Sequence, residues 1–567
     1  MPPAQPLITQ WLIKLNGQPA QPAMMADVKR IEVDSNLFMP DMCTIELNQA
    51  LNWMAHDWIG RAVVIDAQDA PGEQGEHRST TPEPIFAGEI VSVEGDFREN
   101  DHNFLVLRAY DRSHRLQHGS KARQWRQVTD SDIVKRIAQE HGLSPEVDGT
   151  SFVHTQIFQD NVSDFEFVTQ RAKAAGRIFT VDDRKLVFKK PQSIQRPQVA
   201  LDLGATMLEF HPRFTVGAQV SEVTVRGWDV KNKREVLGKA TNGFSIATEG
   251  GSRKPGHRLY TAGVSAAGAQ LVTDQVIDEQ RQGDEAATAV LNGIWSGDFR
   301  GDGIAMGNPE LQAGSKVEIT NLDKFNGTYF VTSVRHVYDG GHYLTHFNIS
   351  GMSADTTADL VSAREEVGRT SSGRVSHGLA VALVTDNRDP DKMGRVKLMF
   401  PWFNPDQQTE WVRMATPMAG GGRGFYYPPE VRDEVLVGFE HGDFNRPYVV
   451  GALWNGIDES PIPATEAVGS DGKVEKRVIK TRAGHIIRLD DKSGSEKIEI
   501  IDKTGKNKIT IESSNNTITV EATGDIKLDA KQNIEIKATK DVKISGAKIE
   551  VQATGQMVVK GATVEIN

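Results

Sequence analysis

The sequence predicts a mainly β protein with a few helices, ending in a rod built from very short strands. Three observations carry that expectation. Apolar and polar residues alternate at period two through most of the chain. The 52 glycines among 567 residues are spread along its length, as many turns require. The last hundred residues repeat one short unit at a nearly fixed spacing.

The repeat reads IKLDA, IEIKA, VKI, IEVQA, MVV and VEI, with first apolar residues Ile526, Ile534, Val542, Ile549, Met557 and Val564. Ile498, Ile509 and Ile518 are looser copies of the same beat. A unit of four or five residues with two apolar side chains cannot bury its own face, so units must stack. The predicted core of the rod is Ile526, Leu528, Ile534, Ile536, Val542, Ile544, Ile549, Val551, Met557 and Val559. Each rung offers one apolar edge to the axis. Two further copies of the chain supply the other edges, which gives a trimeric β-helix. A single-chain β-helix and a hairpin meander are the alternatives. The outer face alternates Lys with Asp and Glu, as a solvated surface does. The sequence stops at Asn567 on a bare rung, so Val564, Ile566 and Asn567 are expected to meet a separate capping partner.

Composition excludes several classes. A formal charge of −11 argues against general nucleic-acid binding. The single cysteine, Cys43, permits no internal disulfide and no cysteine zinc cluster; within CTIEL it reads as a small core residue. No apolar run approaches bilayer length, and the N-terminus has no secretory pattern.

The elements follow in order. WLIKL turns at Asn16–Gly17, and RIEV, CTIEL, RAVVI, EIVSV and FLVLRAY follow as strands that close or nearly close a small barrel. Residues 71–84 form a polar Pro/Gly loop between them. Thr129 with Asp132 caps a helix stopped at Gly142, and Ser163 with Glu166 caps another stopped at Gly176. A third helix is expected from about Ala266 to Asn292, with a second β unit around it. Segment 377–456 holds LAVALV, RVKLMF, WVRMA, EVLVGFE and YVVGALW, five short strands that fit a Greek-key barrel of the OB kind. Trp402, Trp411 and Trp454 read as its core and interface anchors.

Segment 385–400, TDNRDPDKMGRVKLMF, resembles the first OB strands of VgrG-type spikes and the phage baseplate assembly protein V family of contractile injection systems. Asp389-Pro390 and Gly394-Arg395-Val396 carry the first hairpin of that pattern. Trp411-Val412-Arg413, Gly422-Arg423-Gly424, Asp433-Glu434-Val435, Gly442-Asp443, Arg446-Pro447 and Trp454-Asn455-Gly456 continue it. Gly307-Asn308-Pro309, Phe325, Tyr329, His336, Tyr343 and Phe347 resemble the second barrel of a spike hub, and Asp111, Arg115 and Leu116 its first half.

The resemblance implies two hub β-barrels, an OB-fold barrel and a C-terminal trimeric β-helix needle. The expected domains are 1–125 (hub barrel 1), 126–195 (helical insert), 196–353 (hub barrel 2 with a long helix), 354–376 (linker), 377–456 (OB-fold), 457–475 (linker) and 476–567 (needle). It also implies a homotrimer bound to a hexameric tube at the hub end, a PAAR-type protein at the tip, and baseplate proteins. Assembly in the bacterial cytoplasm and action outside the cell are implied too.

No HExxH, GxSxG or Walker loop occurs, and no catalytic residue or cofactor is expected. Asp386, Asp389 and Asp391 cluster like calcium ligands, but their spacing suits a hairpin better. His336, His342 and His346 are metal candidates if their strands are neighbours. His485 is a candidate for an ion on the needle axis. The functional expectation is a structural hub and puncturing spike that joins a tube to a membrane-piercing tip. A spike-borne cell-wall hydrolase and a trimeric adhesin or glycan-binding fibre are the rivals.

Overall fold

A computed structural model describes residues 9–54, 56–69, 82–99, 103–215, 219–248, 268–273, 275–352 and 378–566. The expected linker 354–376 and most of the expected loop 71–84 lie outside the described residues. The chain forms two units, Met1–Leu453 and Trp454–Asn567.

In the first unit, alternating segments become strands as expected. Thr9–Leu15 turns through Asn16 and Gly17, both at positive φ, and pairs with Gln18–Pro19. Val28–Asn36, Met42–Asn48, Ala62–Asp69, Glu83–Asp96 and Phe104–Asp111 complete an antiparallel series. One side of each strand feeds a single core containing Trp11, Ile31, Ile45, Ile65, Ile90 and Leu107. Cys43 is a buried member of that core.

The strand pattern does not reveal how the two halves of the first unit's main sheet join. Ser333–Asp339 pairs with Val28–Asn36, from Ser333 opposite Asn36 to Asp339 opposite Arg30. The halves therefore share one open sheet of eleven strands that continues through His342–Ile349, Phe299–Met306 and Met207–Phe214. An unpaired edge at Val28–Asn36 would leave a row of backbone donors and acceptors without partners; the junction satisfies them. A second core, around Phe299, Tyr329 and Phe347, lies between this sheet and a smaller one that includes Gln198–Asp202, Lys316–Thr320 and Gly327–Phe330.

The two capped helices stand where the sequence puts them, at Asp130–Glu140 and Asp164–Ala175. Both capping boxes form, and Gly176 ends the second helix in the left-handed region. They pack with Trp125, Ile157, Leu186 and Phe188 into a third core. The strand Lys121–Val128 belongs to this insert throughout, because it pairs with His154–Val162.

The third helix differs from expectation. Ala266 lies outside the described residues. Leu271 and Val272 belong to a strand, Ala269–Val272, that runs parallel to Glu222–Asp229, and the helix spans Gln280–Ser296. Tertiary pairing overrides helical periodicity here, because the free edge beside Val223 and Val225 accepts Gln270–Val272. Gly283 lets the helix cross close to Gly238: a Cβ on Gly238 would lie 2.0 Å from the Gly283 backbone.

The OB segment forms a five-stranded sheet from Leu379–Asp386, Lys397–Met399, Arg413–Met414, Glu434–Phe439 and Pro447–Ala452. The Gly-rich connection is a hairpin, Ala419–Gly420 against Arg423–Gly424. The tryptophans do not fill this barrel. Its core is Val384, Leu398, Phe400, Val435, Val437, Phe444 and neighbours. Trp402 is half exposed, with its indole Nε1 donating to the Val381 carbonyl at 3.0 Å. Trp411 is partly buried under Lys397, and Trp454, in the second unit, is 71% exposed.

The second unit contains a five-stranded antiparallel meander of Lys476–Lys480, Ile486–Asp490, Lys497–Ile501, Lys508–Glu512 and Thr517–Glu521. Residues 522–566 form no ladder within the chain and are exposed throughout. The single-chain β-helix alternative fails on this point, since it requires rung-to-rung pairing inside one chain. The meander alternative holds for 476–521 only.

Candidate assembly surfaces

The signature of the first OB hairpin is a carboxylate knot. Asp389 accepts backbone N–H bonds from Asp391 (3.1 Å), Met393 (2.9 Å) and Arg395 (3.2 Å). The Arg395 guanidinium donates to both Asp389 oxygens, at 3.0 and 2.7 Å, and to Asp391 at 2.8 Å. The Arg395 bonds hold the Asp389 carboxyl well below the usual carboxylate range. Lys392 and Gly394 both take positive φ to turn the chain around this group. Arg395 thus occupies the place that a calcium ion would need. Asp386 caps the approach by accepting from the Arg388 N–H at 2.9 Å.

The histidine candidates do not converge. His336 stands opposite Thr345, so it shares a face with Tyr343, Thr345 and Phe347. It is buried, its Nδ1 lies 2.8 Å from the Tyr343 hydroxyl, and burial pushes its pKa down to about 3. His342 and His346 point to the other side of the same strand, because strand side chains alternate. Parity on His342–Ile349 thus corrects the three-histidine candidate. His336 is a neutral core histidine, and Gly307 exists to admit its partner: a Cβ there would lie 1.9 Å from the Tyr343 ring. His485 is exposed, and its Nδ1 accepts from the Lys503 N–H at 3.2 Å. Among the described residues no three His, Cys, Asp or Glu side chains are grouped to hold a metal.

The second unit carries a large uncovered apolar face. Register places Ile479, Ile487, Ile500, Ile509 and Val520 in one column, and Leu489, Ile498, Ile511 and Ile518 in the next. These nine side chains are 40–70% exposed. The opposite face is mostly polar and cross-linked, with Arg488 to Glu499 at 3.2 Å and Lys508 to Glu521 at 2.6 Å, and carries Val478, Ile486 and Ile501 among them. Half-burying a large aliphatic forgoes on the order of 1 kcal/mol, so the face leaves roughly 10 kcal/mol per chain unrealised. Soluble monomers do not usually present so continuous an apolar surface. The predicted core residues Ile526, Leu528, Ile534, Ile536, Val542, Ile544, Ile549, Val551, Met557 and Val559 are all exposed, as are Val564 and Ile566. Asn567 lies outside the described residues.

A second apolar surface escaped the sequence reading. Met418, Phe425, Tyr426 and Tyr427 flank the Gly-rich hairpin and are exposed, with Phe425 and Tyr427 stacked at 6.3 Å. The run Phe425-Tyr426-Tyr427 in a Gly/Pro-rich loop was the available signal, because it alternates with nothing.

Comparison with known proteins bears on the same segments. Residues 380–454 match the family described as the type VI secretion system/phage-baseplate injector OB domain. The resemblance to VgrG-type spikes holds. The spike protein VgrG1a of Pseudomonas aeruginosa is 35% identical over 117 residues, which is 19% of this chain and 18% of that protein. VgrG3 of Vibrio cholerae is 32% identical over 117 residues, 19% of this chain and 11% of that protein. The chain therefore spans less than a fifth of the length of these curated relatives. A solved component of the E. coli type VI secretion system shares 14% identity at a TM-score of 0.48, covering 78% of this chain and 99% of that one. A second family, described as the Alg8 N-terminal domain, matches residues 74–339. That span runs through three of the cores described above and coincides with no single one of them.

Proposed function

We propose that this protein is the trimeric hub and spike of a contractile injection apparatus and that its role is mechanical rather than enzymatic. The observation that carries the reading is the nine-residue apolar face of the meander, followed by rungs with no partners inside the chain. Such a segment is complete only when other copies cover it. Three copies would convert exposed columns into an axial core and leave the Lys/Glu face in water. The exposed aromatic hairpin at Met418–Tyr427 gives the OB barrel its own apolar surface for the same association.

In this reading the hub halves meet a hexameric tube, baseplate proteins surround the hub, and a PAAR-type protein caps the needle at Val564, Ile566 and Asn567. The particle assembles in the cytoplasm and acts outside the cell. Among the described residues no helix is long and apolar enough to cross a membrane. Closed rungs without edges would also unfold slowly, so resistance to heat and detergent is expected. If three chains align, His485 would approach the needle axis, and an axial ion could bind there.

Co-purification tests the role. The full chain, mixed with tube protein and a PAAR-type tip protein, should yield one complex containing both partners at opposite ends by electron microscopy. A chain that associates with neither, and instead binds glycan or degrades peptidoglycan, would replace this reading with one of its rivals.

A further inference from the structure

The strand His154–Val162 has apolar neighbours at Ile157 and Phe158, which a one-faced strand would not tolerate. Both sides of it are used. Ile157 packs with Trp125 in the core of the insert, and Gln159 on the same side donates to Asp164 at 2.9 Å. Phe158 turns the other way, into the core of the OB barrel. Its ring centroid lies 4.9 Å from that of Phe444 and 5.5 Å from that of Phe403, edge-on to the latter.

Polar ties frame this plug on the same face of the ribbon. The Phe158 N–H donates to Asn445 Oδ1 at 2.7 Å. Gln156 Oε1 accepts from the Glu410 N–H at 2.5 Å, and Arg126, opposite Gln156, donates to the Gln408 carbonyl. Asn404 donates to the Ala122 carbonyl at 3.4 Å. One residue beyond Asn445, Arg446 pairs with Asp278 at 2.5 Å, just ahead of the helix Gln280–Ser296. The OB loop 443–446 therefore places Phe444 in its own core, Asn445 on the insert and Arg446 on a third element of the hub.

We propose that the ribbon Lys121–Val128/His154–Val162 is a clamp on the OB barrel, so that barrel and insert open and close as one cooperative body. An OB barrel without contacts to the insert would have nothing to fix its orientation against it. A side chain shared between two cores fixes it without any covalent constraint. The coupling stands on these contacts alone. Its use in passing thrust from hub to needle rests on the proposed spike role.

Hydrogen exchange on the full chain reads the coupling directly and needs no tube or tip protein. Ile133→Val makes a small void in the insert core, where Ile133 is fully buried and none of its core neighbours belongs to the OB barrel. Amides of Leu379–Asp386 and Glu434–Phe439 should then exchange roughly two- to tenfold faster, in step with those of Asp164–Ala175. Asn445→Ala removes a tie without touching either core. It should accelerate exchange on both sides of the clamp and weaken the transmitted effect of Ile133→Val, which Phe158 still carries in part. Acceleration confined to the insert in Ile133→Val, or to residues 443–447 in Asn445→Ala, would overturn the proposal.

Discussion

Two strands with the same pattern meet opposite fates in this molecule. Met42–Asn48 alternates Cys43, Ile45 and Leu47 with polar neighbours, and all three are at most 1% exposed. Lys508–Glu512 alternates Ile509 and Ile511 with Lys, Thr and Glu, and those two are 41% and 40% exposed. Local propensity is equal in the two. What differs is the chain available to cover the apolar side: the first strand closes over a core drawn from many elements, whereas the second has only its own meander. Period-two alternation therefore specifies a strand and its two faces but not where the cover for the apolar face comes from.

The sharpest way to break this contrast is a charge on the uncovered face. Ile498→Asp, and Ile534→Asp further along, would bury an unpaired carboxylate in any assembly, at several kcal/mol per chain. Sedimentation should show loss of association while the first unit keeps its circular dichroism. In the first unit, cover is already present, so truncation alone costs stability. Phe167→Ala, at a fully buried site, should lose about 3–5 kcal/mol in urea unfolding of the insert.

Acid should also separate the regions. Burial works to raise the Asp130 carboxyl, but Arg171 at 2.6 Å and His154 at 3.0 Å outweigh it and hold it far below its ordinary value. Asp164 is lowered likewise, against burial, by His141, Lys121, Gln159 and Arg123. A depressed folded pKa gives stability that is present above the unfolded value of about 3.9 and lost as pH falls through that value toward the folded one. The insert should therefore lose stability on acidification below about pH 4. Asp130→Asn with Asp164→Asn should flatten that pH dependence in thermal melts. The smallest effect is expected at a surface cap: Thr129→Ala should cost about 1 kcal/mol, measured by thermal melting.

Much of this architecture was legible because it is local. Thr129/Asp132 and Ser163/Glu166 announce their helices, Asn16–Gly17 announces its hairpin, and Asp389 with Arg395 marks the OB turn. The features that stayed hidden are non-local. Nothing near Arg335 or Glu32 says that their strands join two halves into one sheet. Leu271 and Val272 fit a helical period until a free sheet edge claims them. His336 looked able to meet His346, and only strand parity separates them. Phe158 left one trace, an apolar neighbour at Ile157, and the C-terminal repeat left the opposite kind: a regular apolar beat with too little chain to bury it.

The number of chains per particle tests the central claim most directly. Sedimentation equilibrium of the full chain in dilute buffer should return three copies, with no monomer until the second unit is unfolded. A single folded chain, with Ile498 and Ile511 still in contact with water, would contradict the account.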